Sequence, residues 1–172
     1  MKPIVSAGVV AVCLLLTAVA PVAQNKADLL KNYSRVIENV DVALTVVHVN
    51  SVTAPILFQP PTLYAMRARA AETTVLYVQG KADRDIEIDT TNFKIEQAGQ
   101  NAVGVPTNIK NFAKGSKVRV PLGGQIDGVL VFPKLFDVSK AFTLRHDRDL
   151  IEFKFNAEQV KALTAPAPAA PQ

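Results

Sequence analysis

Hydrophobic and polar positions alternate along much of the chain, and strands are the elements this pattern predicts. From Val40 to Val52, Val40, Val42, Leu44, Val46 and His48 share one parity, and Asp41, Ala43, Thr45, Val47 and Val49 share the other. Thr73 to Gln79 reads as a second strand, with Val75 and Tyr77 opposing Leu76 and Val78. Gly80-Lys81-Ala82-Asp83 reads as a turn, from which Arg84 to Asp89 returns with Ile86 and Ile88 on one face. Phe93 and Ile95 continue the apolar pattern, and in Lys117-Val118-Arg119-Val120 the valines point inward. The run Gly128-Val129-Leu130-Val131-Phe132 differs because neither face is polar. Such a run predicts a central strand with other elements packed over it. Ala141–Leu144 and Leu150–Phe155 predict a terminal hairpin around His146-Asp147-Arg148-Asp149, with Phe142, Leu144, Ile151, Phe153 and Phe155 facing the core and covering the central strand.

Other stretches lack this alternation. In residues 24–39, Ala27, Leu29, Leu30, Tyr33, Val36 and Ile37 recur near helical spacing and predict a short N-terminal helical lead-in. Residues 53–64 hold Pro55, Pro60 and Pro61, which preclude a central strand or a continuous helix. They also hold Ile56, Leu57, Phe58, Leu63 and Tyr64, large apolar residues unlike those of a solvated loop. These five either cap an open end of the core or form an exposed surface for a protein partner. Gly99 to Phe112 reads as loop or irregular edge, and Pro133 to Ser139 as a connection. Residues 157–172 end in an Ala/Pro-rich segment expected to be an extended, disordered tail.

The N-terminus has its own logic. Met1-Lys2 is followed by a nearly continuous apolar stretch, Ile4 to Ala20, and then by the small residues before Gln24. This is the layout of a secretory signal peptide over residues 1–23, cleaved after Ala23 because Pro21 disfavours cutting after Ala20. An uncleaved anchor is the other reading, since a membrane helix needs roughly 20 apolar residues. Export to the periplasm or the extracellular space is the expectation, with no stable membrane insertion once the leader is removed.

Composition narrows the picture further. The chain of 172 residues is long enough for one well-packed domain, here residues 40–156. Its net charge of +4 comes from scattered lysines and arginines, not from the concentrated basic patch that nucleic acid requires. The one cysteine, Cys13, lies in the leader, so a mature chain would have no disulfide and no thiolate chemistry.

About seven short strands, turn signals between them and no alternating helices predict an all-β fold, an antiparallel β-sandwich preceded by a short helix. Three stretches also carry a family likeness: Val75–Ile88, then Asn92-Phe93-Lys94-Ile95, then the Gly-x-x-x-Gly-Val-Leu-Val-Phe run from Gly124 to Phe132. On these, Leu76 to Phe155 resembles the small immunoglobulin-like sandwich domains of exported bacterial proteins, a family of unknown function whose fold an exported immunoprotective antigen shares. The resemblance implies an immunoglobulin-like fold and no shared catalytic residues. The lipoprotein cysteine and flexible linker common in such proteins are missing, and residues 53–64 have no place in the family pattern.

Candidate chemistry is sparse. Asp83, Asp85, Glu87 and Asp89 share one strand face at about 7 Å spacing. Calcium needs oxygens that converge from a loop, so a face paired with Lys117 and Arg119 on a neighbouring strand is the expectation. His146 stands beside carboxylates, and the only possible histidine partner for a metal is His48. No serine sits in a nucleophile elbow. The sequence therefore predicts no enzyme, no cofactor and no metal. It predicts an exported module acting by protein–protein contact through Ile56, Leu57, Phe58, Leu63 and Tyr64. The alternative is a metal or small-ligand binder using the acidic strand face or the His146 hairpin tip.

Overall fold

The structure is a computed structural model that describes residues 26–103, 105–107 and 117–165. The expected leader, residues 1–23, and the last seven residues of the expected tail lie outside the described residues. The chain runs α1 (Lys26–Asn32), β1 (Ser34–Glu38), β2 (Val42–His48), α2 (Ala54–Leu57), α3 (Thr62–Glu72), β3 (Thr74–Ala82) and β4 (Ile86–Asp89). A 3-10 turn at Thr90–Asn92 leads into β5 (Phe93–Gln97), β6 (Gln100–Val103) and β7 (Val105–Thr107). After these come β8 (Lys117–Val120), β9 (Gln125–Phe132), β10 (Phe142–His146), β11 (Asp149–Phe153) and α4 (Ala157–Thr164). No helix among the described residues is long and apolar enough to cross a membrane.

Every pairing among these strands is antiparallel. A five-stranded sheet has the order β1-β2-β3-β9-β7, a four-stranded sheet the order β11-β10-β5-β6, and β4 pairs with β8 alone. The two larger sheets share one core. Leu44, Val46, Leu76, Val78, Ile126, Leu130 and Phe132 come from the first, and Phe93, Ile95, Phe142, Leu144 and Phe153 from the second. This layering is compatible with an all-β sandwich. On one side Arg35 of β1 ties the sheets together, its Nε donating to the Glu152 carbonyl at 2.9 Å and its Nη2 to the Lys154 carbonyl at 3.0 Å. On the other side the chain passes from β6 in one sheet to β7 in the other.

The two-faced apolar run lies within β9, which has neighbours on both sides but is one place off the centre that β3 occupies. Leu130 and Phe132 enter the main core with Phe142 and Phe153 of the terminal hairpin. Val129 and Val131 face a second, smaller cluster with Val49, Ala54, Met66 and Val75, under α2 and α3. Both faces are covered, and the outer cover is helical.

That cover corrects the reading of residues 53–64 as a long connection: two helices begin here, although no continuous helix forms and residues 58–61 separate the two. Pro55 occupies the first turn of α2, and Pro60-Pro61 come before α3, with Pro61 at its cap. In these places the missing N–H has no helical partner to lose. Ala65, Ala68, Ala70 and Ala71 then carry α3 onward, alanine being the best helix former.

The strand count is corrected too: eleven strands among the described residues, not about seven, because short edge strands such as β6 and β7 carry no alternation. The helical lead-in ends at Asn32, since Ser34–Glu38 pairs along β2 instead. The expected tail begins with a helix, α4, whose Asn156 and Gln159 cap each other's backbone N–H at 2.9 and 2.8 Å. Val160 and Leu163 of α4 pack against the core. Finally, Gly80 is no turn. β3 continues to Ala82, and β4 pairs with β8. A Cβ at Gly80 would run into the Ala43 carbonyl of β2, so the glycine serves close strand approach.

Candidate functional site: a cavity at one end of the sheets

Where β2 ends, four segments meet around a cavity of about 440 Å³. His48 to Ser51 form one wall, Arg67, Ala70 and Ala71 of α3 a second, Leu135 to Val138 a third, and Leu163 to Ala165 the fourth. On α3, the i, i+3, i+4 spacing of Arg67, Ala70 and Ala71 puts all three on one flank. Leu63 and Met66 instead pack in the cluster beneath the helix. The two alanines leave open the space that longer side chains would fill.

Asn50 fixes the first wall. Its Oδ1 accepts from the N–H of Val52 and of Thr53 at 2.8 and 3.0 Å, and its Nδ2 donates to the His48 carbonyl at 2.9 Å. The Thr53 hydroxyl donates to the same carbonyl at 2.8 Å and accepts from the Asn50 N–H at 3.0 Å. These bonds hold the chain in a fixed bend after β2 and consume the polar atoms of Asn50 and Thr53.

The His48 ring lies against Phe142 and Phe155, with centroids 6.0 and 5.5 Å away, and is 7% exposed. Burial pushes its pKa down to about 4, so the ring is neutral at pH 7. Its Nδ1 stands 3.4 Å from the Asn50 Nδ2, which can only donate. The Nδ1 lone pair therefore faces Asn50, and Nε2 carries the proton.

Two charged residues complete the lining. Asp137 is exposed at the rim, where Ser139 donates to its Oδ1 from hydroxyl and N–H at 2.6 and 2.9 Å and the Lys140 ammonium lies 3.4 Å from Oδ2. The Ser139 hydroxyl bond, its backbone N–H and then Lys140 hold the Asp137 carboxyl below the usual carboxylate range. Arg67 has no such company. Its Nε is sealed from solvent and has no hydrogen-bond partner among the described residues. An unsatisfied buried donor on a charged group costs on the order of 1–3 kcal/mol or more.

The residues singled out from the sequence lie elsewhere. Leu57, Phe58 and Leu63 pack against the smaller cluster, Phe58 meeting Tyr77 edge-on at 5.7 Å. Ile56 is half-buried, and Tyr64 is 43% exposed. Packing thus gathers three of the five onto the sheet and leaves Tyr64 as the accessible one.

The acidic face is paired as expected, with Glu87 opposite Arg119 and Asp89 opposite Lys117. The Lys117 ammonium lies 3.2 Å from Glu87. Asp85 accepts from the Leu122 N–H at 2.7 Å, and Asp89 accepts from the N–H and hydroxyl of Thr91 at the 3-10 turn. No group of three or more His, Cys, Asp or Glu among the described residues is placed to hold a metal.

His146 is not at the hairpin tip, which is Asp147-Arg148; it ends β10, stacked on Phe93 at 4.2 Å and 5% exposed. Burial lowers its pKa, while Asp147 and Asp149 pull the other way. His48 touches Phe142 at the start of the strand that His146 ends. Four residues of strand separate those points, about 13 Å.

Sequence reasoning overlooked Arg67, Asn50 and the Leu135–Val138 wall. One signal was readable: Asn50-x-x-Thr53 directly after a strand is a local side-chain-to-backbone turn pattern. A single arginine among alanines looks like any solvated helix face. No family model matches the chain, and neither a curated protein nor a solved structure matches it.

Proposed function

We propose that this chain is an exported, non-enzymatic binding module of immunoglobulin-like type that takes a small ligand into the cavity between α3, α4 and the end of β2. The cavity itself carries the reading: about 440 Å³, within the range of roughly 300–1,000 Å³ typical of small-molecule sites, with a mainly apolar lining and a few polar groups. A binding role rather than a catalytic one is supported by the state of the two histidines, each buried against aromatic rings. Ser51, the one serine of the lining, has its hydroxyl donated to the Ala162 carbonyl at 3.3 Å. Export rests on the apolar leader and its small-residue end. Contact with a protein partner is a second reading, favoured by the exposure of Tyr64 and the partial exposure of Ile56.

One preparation tests the proposal. Expressed with its leader, the protein should be recovered from the periplasmic fraction with a mass starting at Gln24. The purified protein should take up one molecule of a neutral apolar fluorophore, N-phenyl-1-naphthylamine, per chain. Ala71→Phe, a change at an exposed helix position that fills the cavity, should abolish uptake while the melting temperature stays close to wild type. Uptake undiminished in Ala71→Phe would refute the cavity, and a Tyr64→Asp variant that alone loses a crosslinked protein partner would favour the second reading.

A further inference from the structure

We propose that the ligand of this cavity is a monoanion with an apolar body, its carboxylate held by the Arg67 guanidinium. The inference rests on the cavity reading above and adds the chemistry of the occupant.

Arg67 is the one charged side chain of the lining with no ion-pair partner among the described residues. Asn50 is consumed by the His48 carbonyl and the Val52 and Thr53 N–H groups. Ser51 donates to Ala162, and Thr164 to the Val160 carbonyl at 2.9 Å. Asp137 is occupied by Ser139 and Lys140. His48 is neutral and half-committed to Asn50. Arg67 has no hydrogen bond or ion pair among the described residues, and its Nε is closed off from water.

A guanidinium presents parallel N–H donors that match the two oxygens of a carboxylate. A neutral guest would leave the guanidinium charge without a counter-ion, and a cationic guest would add a like charge. A dianion such as a phosphate monoester would bring two charges to a cavity lined by one cation, with a carboxylate, Asp137, at its rim. One negative charge is what the site can neutralise. The rest of the wall, Val49, Ala70, Leu135, Phe136, Val138 and Leu163, offers an apolar surface to the remainder of the ligand.

Calorimetric titration of the full chain with octanoate, 1-octanol and acetate separates charge from apolar body. Octanoate should bind one molecule per chain, 1-octanol should bind about tenfold more weakly or worse, and acetate should give no measurable heat. Arg67→Gln should weaken octanoate about tenfold or more and leave 1-octanol unchanged, with the melting temperature confirming the fold. Arg69→Gln, which removes the same charge from the opposite flank of α3, should change neither. Equal affinity for octanoate and 1-octanol in the wild type would overturn the inference, and so would equal losses of both in Arg67→Gln. If 1-octanol binds and Ala71→Phe blocks it, the cavity reading survives that failure. If octanoate, 1-octanol and the neutral fluorophore all fail to bind, the cavity reading falls with it.

Discussion

His48 is held neutral by its surroundings, and this makes stability depend on pH. Its pKa in the fold is about 4, against about 6.5 in the unfolded chain. Between those values the unfolded chain takes up a proton that the folded ring refuses, so stability is full above about pH 6.5 and falls as pH drops towards 4. The gap corresponds to a loss on the order of 3 kcal/mol at the acid end. Asn50, Phe142 and Phe155, which lie against the ring, bring no countercharge. His146 shifts in the same direction, partly opposed by Asp147 and Asp149, and adds to the slope. Urea midpoints measured from pH 7 to pH 4 should fall steeply in wild type and less steeply in His48→Gln; equal slopes would remove His48 from this role. The parity of His48 with Val42, Leu44 and Val46 already placed it on an apolar face. Arg67 was invisible at this scale, because nothing local distinguishes an arginine whose Nε is buried from a fully solvated one. Gly80 was visible but misread, since a glycine marking close strand approach has the same spelling as one marking a turn.

Among the elements, the strands with buried β-branched and aromatic residues were legible, because period-two alternation records burial directly. β2, β3, β9, β10 and β11 fall inside or near the predicted stretches. Pairings were harder to read, but one was legible: β4 joins β8 across a long stretch of chain, and the acidic face of one against Lys117 and Arg119 of the other announced it. The helices were mostly missed. α3 is alanine-rich with little apolar periodicity, and α4 begins only two residues after the last core phenylalanine, Phe155. The reciprocal cap of Asn156 and Gln159 gives α4 a defined start, and the Gln159 amide donates to the Asn32 carbonyl at 3.0 Å, binding α4 to the end of α1. Replacing Asn156 by Ala should cost about 1 kcal/mol in denaturant unfolding. Because Leu163, Thr164 and Ala165 wall the cavity, the same change should also weaken uptake of the neutral fluorophore. Unchanged stability and unchanged uptake would show that the cap holds nothing in place.

On the scale of the whole molecule, two antiparallel sheets close over one core, and helices from both halves of the chain cover what the sheets leave open. The layered β architecture was legible from alternation and turn signals. The cavity was not, because its walls come from residues near 50, 70, 136 and 164, which no sequence window holds together. None of the five apolar residues singled out in 53–64 lines the cavity, although α3, which begins among them, supplies one wall. The most direct measurement is a map of backbone amide shifts in the ¹⁵N–¹H spectrum of the full chain during octanoate titration. The predicted result is saturable shifts at Val49, Ala70, Leu135, Val138 and Leu163, lost in Ala71→Phe. Shifts confined to the surface around Ile56 and Tyr64, or no saturable shifts, would contradict a ligand-binding cavity at this end of the sheets.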